Sequence, residues 1–229
     1  MPAMADGSPP SPDRRPIRSR KMRVWVVTAR TLARWGITAN IISIFGMLAC
    51  IWAGTCFAAT GIADARTARW LWVGAGVLVQ LRLICNMLDG MVALERNEAS
   101  PVGELYNEIP DRVSDMAALI GLGYAASSNP QLGYLAAGLA VFVAYVRAAA
   151  RAAGTPSDFR GPMAKQQRMF LVTLVAAFMG FAPEGWTIST WRGLAAPGIA
   201  LLVICIGCVI TAIRRIVRAS GILRARGRG

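Results

Sequence analysis

NMLDGMVALERNEASPVGELYNEIPD, from Asn86 to Asp111, sets carboxylates and amides at helical spacing among small residues, within a chain that is otherwise strongly apolar. Asn86 and Asp89 lie three apart, and Gly103, Asn107, Asp111 and Asp115 lie four apart, so each set falls near one face of a helix. Polar groups cost free energy inside a membrane, and their clustering there reads as a site. Two such faces, opposed across a short connection, suit divalent cations bound through oxygen ligands.

The membrane setting comes from composition. Of the 229 residues 55% are hydrophobic and only 16% charged, which is ordinary for a small polytopic membrane protein and high for a soluble domain. A net charge of +13 raises the question of nucleic acid. The basic residues sit mostly at the ends of apolar spans, without the aromatic interleaving of RNA-binding surfaces, so the charge reads as topology and attraction to lipid headgroups. Nucleic acid is not an expected partner. Histidine is absent, which excludes Ser-His triads, His-zinc sites and imidazole acid-base chemistry. The five cysteines lie in or beside apolar runs, so neither a disulfide framework nor a zinc site at Cys205 and Cys208 is expected, and core packing is the better reading.

Outward from the opening stretch, six windows of about 20 apolar residues predict six transmembrane helices. They are Ile37–Ala59, Arg69–Ala93, Gly103–Ser127, Leu132–Arg151, Met169–Phe181 with its flanks, and Leu194–Ile213. Residues 1–17 are expected to form a disordered cytosolic tail and residues 18–35 a basic amphipathic juxtamembrane helix on the membrane surface. A membrane domain over 36–217 and a basic cytosolic tail over 218–229 complete the division. Lys and Arg cluster before the first span, after the fourth and after the last, which places both termini and the 86–111 loop in the cytosol, in an inner or cytoplasmic membrane. Ala117, Gly121 and Ala125, at four-residue spacing, permit close helix packing, in a homodimer or within one protomer.

The 86–111 pattern resembles the signature of the CDP-alcohol phosphotransferase (CDP-alcohol phosphatidyltransferase) family, D-x-x-D-G-x-x-A-R-x(8)-G-x(3)-D-x(3)-D. Asp89, Gly90, Ala93, Gly103 and Asp111 occupy their places without a gap. Asn86 replaces the first aspartate, Leu94 the arginine and Asn107 the third aspartate. The resemblance implies an all-α membrane enzyme of phospholipid biosynthesis that transfers a phosphatidyl group from CDP-diacylglycerol to a small alcohol and releases CMP. Its likeness to phosphatidylglycerophosphate synthases makes an alcohol phosphate such as glycerol 3-phosphate the expected acceptor. A non-catalytic homologue that binds CDP-lipid or acts as a membrane scaffold is the alternative.

By the same resemblance, Asp89 is a metal ligand, Asn86, Asn107 and Asp111 occupy metal-ligand positions, and Asp111 matches the proposed general base. Gly90, Ala93 and Gly103 match residues at the CDP portion. The implied cofactor is Mg2+ or Mn2+, one or two ions. An amide oxygen ligates a hard cation without bringing charge, so weaker metal binding or the loss of one ion is expected. Glu104, Glu108 and Asp115 lie within one or two turns and are candidates to compensate, with ion pairing to Arg112 and Arg82 as the alternative.

A second basic motif follows the fourth predicted span, where R-A-A-A-R at 147–151 precedes D-F-R-G-P-M-A-K-Q-Q-R, ending at Arg168. Basic residues at comparable places in the family hold the acceptor phosphate, which makes Arg147, Arg151, Lys165 and Arg168 candidates. Cytosolic topology charges are the bland alternative. Thr38 is expected to cap the first span.

Overall fold

A computed structural model of the chain describes residues 22–96, 101–183, 186, 191 and 193–227, the side chains of 101–106 excepted. Among these residues the fold is all-α: α1 (Arg23–Arg34), α2 (Ala39–Ala59), α3 (Ala65–Glu95), α4 (Pro101–Gly123), α5 (Pro130–Ala152), α6 (Lys165–Phe181) and α7 (Ala196–Arg226). The disordered tail expected at 1–17, and residues 18–21 of the juxtamembrane helix, lie outside the described residues.

Helix starts follow side chains that accept from free backbone N–H groups. Thr38 accepts from Ile41 at 3.4 Å, as its position suggested. Asp64 accepts from Arg66 and Thr67, both at 3.1 Å, and Asn129 accepts from Leu132 at 3.1 Å. Bonds from Thr67, its hydroxyl first, hold the Asp64 carboxyl below its ordinary value.

Four helices, α2, α3, α5 and α7, are long and apolar enough to cross a membrane. The other two predicted spans are helical but differ in kind. α4 carries Glu108, Asp111, Arg112 and Asp115 on one stretch, and α6 has 17 residues. α4 packs against α2 and α5, and α6 against α3 and α7, while each keeps an exposed apolar row, Ile109, Val113 and Met116 on α4 and Phe170, Leu174 and Phe181 on α6. α4 can hold charge because its polar face, with Asp111 and Asp115 buried, meets protein. The chain is a polytopic membrane protein whose site-bearing helix turns its polar face inward.

The core runs through Phe57, Trp72, Leu119, Val172, Leu201 and Ile204, with the Phe57 and Trp72 rings 5.3 Å apart. Lipid is as apolar as these side chains, so tight packing has to hold the helices together there. The small-residue stripe serves that purpose within one protomer. A Cβ on Gly121 would collide with the Gly54 backbone of α2, and one on Gly54 would collide with the Ala117 carbonyl. Ile41, Phe45, Leu48 and Trp52 face outward from α2 as lipid-facing surface.

Two terminal elements add to the sequence reading. α1 is docked on the bundle: Ala29 is fully buried, and Trp25, Val26 and Leu32 pack on the cluster that holds Met87, Leu88 and Met91 of α3. Arg96 Nη1 donates to the Ala33 carbonyl at 3.3 Å, and Arg30 pairs with Glu95 at 3.3 Å. At the other end, α7 continues to Arg226, so the basic tail expected at 218–229 is helical through that residue. At 1.5 Å per residue its 31 residues span about 46 Å, more than a hydrocarbon layer of about 30 Å, and the excess carries the arginines.

Candidate active site

α3 and α4 run antiparallel, as their contacts require: Arg82 meets Ser114 and Asp111, while Asn86 meets Asp111. Rising numbers on α3 thus match falling numbers on α4. Three residues on from Asn86 is Asp89, and four back from Asp111 is Asn107, displacements of about 4.5 and 6 Å along the two axes. Asp89 and Asn107 therefore share a level nearer the loop, one turn from the Asn86–Asp111 contact.

Asp111 is buried and its Oδ1 is crowded with donors. It accepts from Arg82 Nη2, from Lys165 Nζ and, at 2.6 Å, from Asn86 Nδ2. Its second oxygen lies 3.6 Å from Arg112 Nη2. Arg82 is only 1% exposed and is steered by Ser114: its Nε donates to Ser114 Oγ at 2.9 Å, and that hydroxyl donates to the Pro110 carbonyl at 2.7 Å. Gly46 of α2 leaves room for the guanidinium, since a Cβ there would stand 3.1 Å from Arg82 Nη1 and 2.7 Å from Cys85 Cβ.

Asp89 is held differently. Ser43 Oγ of α2 donates to one of its oxygens at 2.6 Å, and the Gly90 N–H donates to the other at 2.6 Å. Each oxygen keeps acceptor capacity after one such bond. At the same level Asn107 Oδ1 is buried without a hydrogen-bond partner. A bare buried acceptor costs free energy unless a cation or donor meets it. Asp89, with acceptor capacity left, and the unpartnered Asn107 oxygen have the chemistry a hard divalent cation takes, although among the described residues no three acidic, cysteine or histidine side chains converge as a metal cluster.

Beside Asp111 a cavity of about 90 Å³ opens between α4, α5, α6 and α7, with Glu108, Arg147, Lys165, Arg168 and Arg215 in its wall. A neighbouring cavity of about 550 Å³, within the usual size of a small-molecule site, shares Arg147, Phe159 and Arg215 as a common wall. Arg147 lies over the Phe159 ring, 5.2 Å from its centre, and ion-pairs with Glu108. Arg218 and Asp158, 3.6 Å apart, flank the larger cavity.

The candidates from the sequence thus separate. Asn86, Asp111 and Lys165 meet directly, and Arg147 stands in the same cavity wall. Arg168 also borders that wall, but it is 1% exposed, and its guanidinium is committed to Asp115 Oδ2 at 2.6 Å and the Met163 carbonyl at 2.9 Å. Arg151 is exposed at the end of α5, outside the lining of either cavity. Of the candidates to compensate, Glu108 pairs with Arg147 and Arg112, and Asp115 gives one oxygen to Arg168 while its Oδ1 is buried without a hydrogen-bond partner. Gly90 and Ala93 are half-buried on α3. Gly103 lies in α4, but its surroundings and the Glu104 side chain lie outside the described residues.

Sequence reasoning missed Ser43, Ser114 and Arg215. Arg215 donates to the carbonyls of Arg160 at 3.1 Å and Val143 at 3.0 Å, tying the 155–164 loop and α5 to α7. Within the run Arg214-Arg215 it carries no local mark that separates it from a topology charge. A serine inside the apolar α2 was the one available signal for Ser43.

The model of the CDP-alcohol phosphatidyltransferase family matches residues 36–213, from before α2 into α7. The chain belongs to that family. It is 26% identical over 196 residues to a phosphatidylinositol phosphate synthase of Mycolicibacterium smegmatis, covering 82% of this chain and 80% of the relative. Two crystal structures of Mycobacterium tuberculosis phosphatidylinositol phosphate synthase share its fold. One, with CDP-DAG bound, superposes with a TM-score of 0.69 at 22% identity, over 86% of this chain and 94% of that one. The other, in complex with manganese and citrate, gives 0.68 at 21% identity, over 85% and 88%. At that identity the structural likeness is one of fold, and the family membership is what identifies the chain as a phosphatidyltransferase.

Proposed function

We propose that this phosphatidyltransferase moves the phosphatidyl group of CDP-diacylglycerol onto a hydroxyl of a phosphorylated inositol, with six helices crossing the membrane and both termini and the site on the cytosolic side. The observation that carries the reading is the Asp111 carboxylate, buried at the wall of a basic cavity and bonded by Arg82, Asn86 and Lys165. The naming of the mycobacterial relatives favours inositol phosphate over the glycerol 3-phosphate suggested by the sequence, and the cavity of about 550 Å³ has room for the bulkier ring.

In this reading the acceptor hydroxyl oxygen attacks the lipid-side phosphorus of the pyrophosphate. The bond to the CMP oxygen breaks, and CMP leaves with the electron pair. Asp111 takes the proton from the attacking hydroxyl, and its bonds to Arg82, Asn86 and Lys165 keep it aimed. Positioning and charge neutralisation supply most of such a rate enhancement, so the fixed cations matter as much as the base. Arg147 and Lys165 face the acceptor phosphate, and Arg215 braces the cavity wall. Gly90, Ala93 and Gly103 let the CDP portion lie close to α3 and α4. Asp89 and Asn107 would hold a divalent cation, which would supply charge neutralisation at the pyrophosphate and the departing CMP phosphate.

A second reading, a CDP-lipid-binding homologue without turnover, draws on the two amides and on the saturated Asp111. Purified protein in lipid vesicles, given labelled CDP-diacylglycerol, Mn2+ and a panel of alcohols, separates the two. CMP release that depends on a phosphorylated inositol is the expected result. Binding of CDP-diacylglycerol with no CMP release from any acceptor would establish the second reading instead.

A further inference from the structure

We infer that this chain takes a single divalent cation, at the Asp89–Asn107 level, and that Asn86, Arg82 and Lys165 close the position at Asp111 where a second ion would bind. The inference rests on the transferase reading for the ion's use, but its geometry stands on the contacts alone.

The amide of Asn86 decides the first half. An ionised carboxylate only accepts hydrogen bonds, so at 2.6 Å from Asp111 Oδ1 the amide must present its nitrogen. Its oxygen is turned away, and the two side chains cannot share an ion between them. An aspartate at position 86 would put two carboxylates at that distance, which requires a cation or a shared proton between them. Asparagine removes the requirement by bonding Asp111 directly.

Charge decides the second half. Asp111 faces Arg82 and Lys165, both bonded to the same oxygen, and Arg112 3.6 Å from the other, a cation it shares with Glu108. Protein cations thus already neutralise this carboxylate. A metal ion entering there would meet their repulsion and would have to displace three donors. At the Asp89 level the balance is opposite. Among the described residues Asp89 receives the neutral donors Ser43 and Gly90, and Asn107 Oδ1 is a buried acceptor without a hydrogen-bond partner.

Counting bound Mn2+ on the purified protein, by paramagnetic resonance of the free ion and by calorimetry, tests the inference without turnover. Wild type should bind one Mn2+ per protomer, and Asp89→Asn none. Lys165→Arg, which keeps the charge, should stay at one, whereas the double variant Asn86→Asp/Lys165→Met should bind two. Two ions in wild type would overturn the inference whatever the variants do, as would one ion in a double variant that elutes and melts like wild type. Parallel CMP-release assays keep the two proposals apart. One bound ion without acceptor-dependent release removes the transferase reading and leaves the single ion; release that persists in chelator with no bound ion does the reverse.

Discussion

Asp111 and Asp115 stand one turn apart on α4, and each pairs with a cation of α6, Asp111 with Lys165 and Asp115 with Arg168. The lower rung is sealed, its side chains 1% and 2% exposed, and its arginine also ties down the Met163 carbonyl of the incoming loop. The upper rung is open to the cavity, with side chains 17% and 10% exposed, and gathers Arg82 and Asn86 as well. One helix pair thus builds a structural ion pair and a chemical one within a single turn. What separates them is access: a carboxylate with no path to substrate can only hold the fold, whereas its neighbour can hold a proton in transit.

The sharpest way to break this contrast is to neutralise each carboxylate. Asp111→Asn removes the proposed base and leaves the buried Arg82 without its carboxylate, so CMP release per folded protein should fall by about 10²-fold or more, and the unfolding midpoint should fall as well. Asp115→Ala should lower stability without the loss of turnover in the folded protein. It strands the buried Arg168 charge, a loss of about 3–5 kcal/mol, read as a lowered unfolding midpoint in detergent, while folded protein keeps its acceptor Michaelis constant. A stable Asp115→Ala protein would show that the sealed rung is dispensable.

Lys165→Met sharpens the open rung. Loss of a charge-assisted bond to the acceptor phosphate, about 1.5–3 kcal/mol, should raise the acceptor Michaelis constant by roughly tenfold or more and that of CDP-diacylglycerol much less. Equal weakening of both substrates would move Lys165 from the acceptor to the pyrophosphate. Smallest of all, Arg151→Ala should leave both Michaelis constants unchanged, because this arginine is exposed and lies outside the lining of both cavities.

The helices themselves were legible, since apolar windows and a cap such as Thr38 report local physics. Six predicted spans correspond to helices α2 to α7, with ends displaced by a few residues except at α7. There the arginines after Ile213 looked like a tail, because a helix leaving the membrane loses its apolar mark without losing its hydrogen bonds. α1 was recognisable as amphipathic, but its docking on α3 depends on Met87, Leu88 and Met91, some 60 residues away. At the site, helical spacing and resemblance brought Asn86, Asp89, Asn107 and Asp111 into view. Which cation meets which carboxylate was not legible, as Lys165 and Arg168 differ by three positions and reach different rungs. Arg215 was hidden among topology charges for the same reason: only the fold says which arginine turns inward.

The most direct measurement of the central claim is the lipid product itself. Wild type and Asp111→Asn, in vesicles with CDP-diacylglycerol, Mn2+ and a phosphorylated inositol, would be followed by ³¹P magnetic resonance for loss of the pyrophosphate signal and appearance of the phosphodiester. Wild type should form phosphodiester and CMP in equal amounts, and Asp111→Asn should form neither at a comparable rate. Phosphodiester formation at equal rates in both proteins would contradict the role given to Asp111, and its absence from wild type with every alcohol offered would contradict the account as a whole.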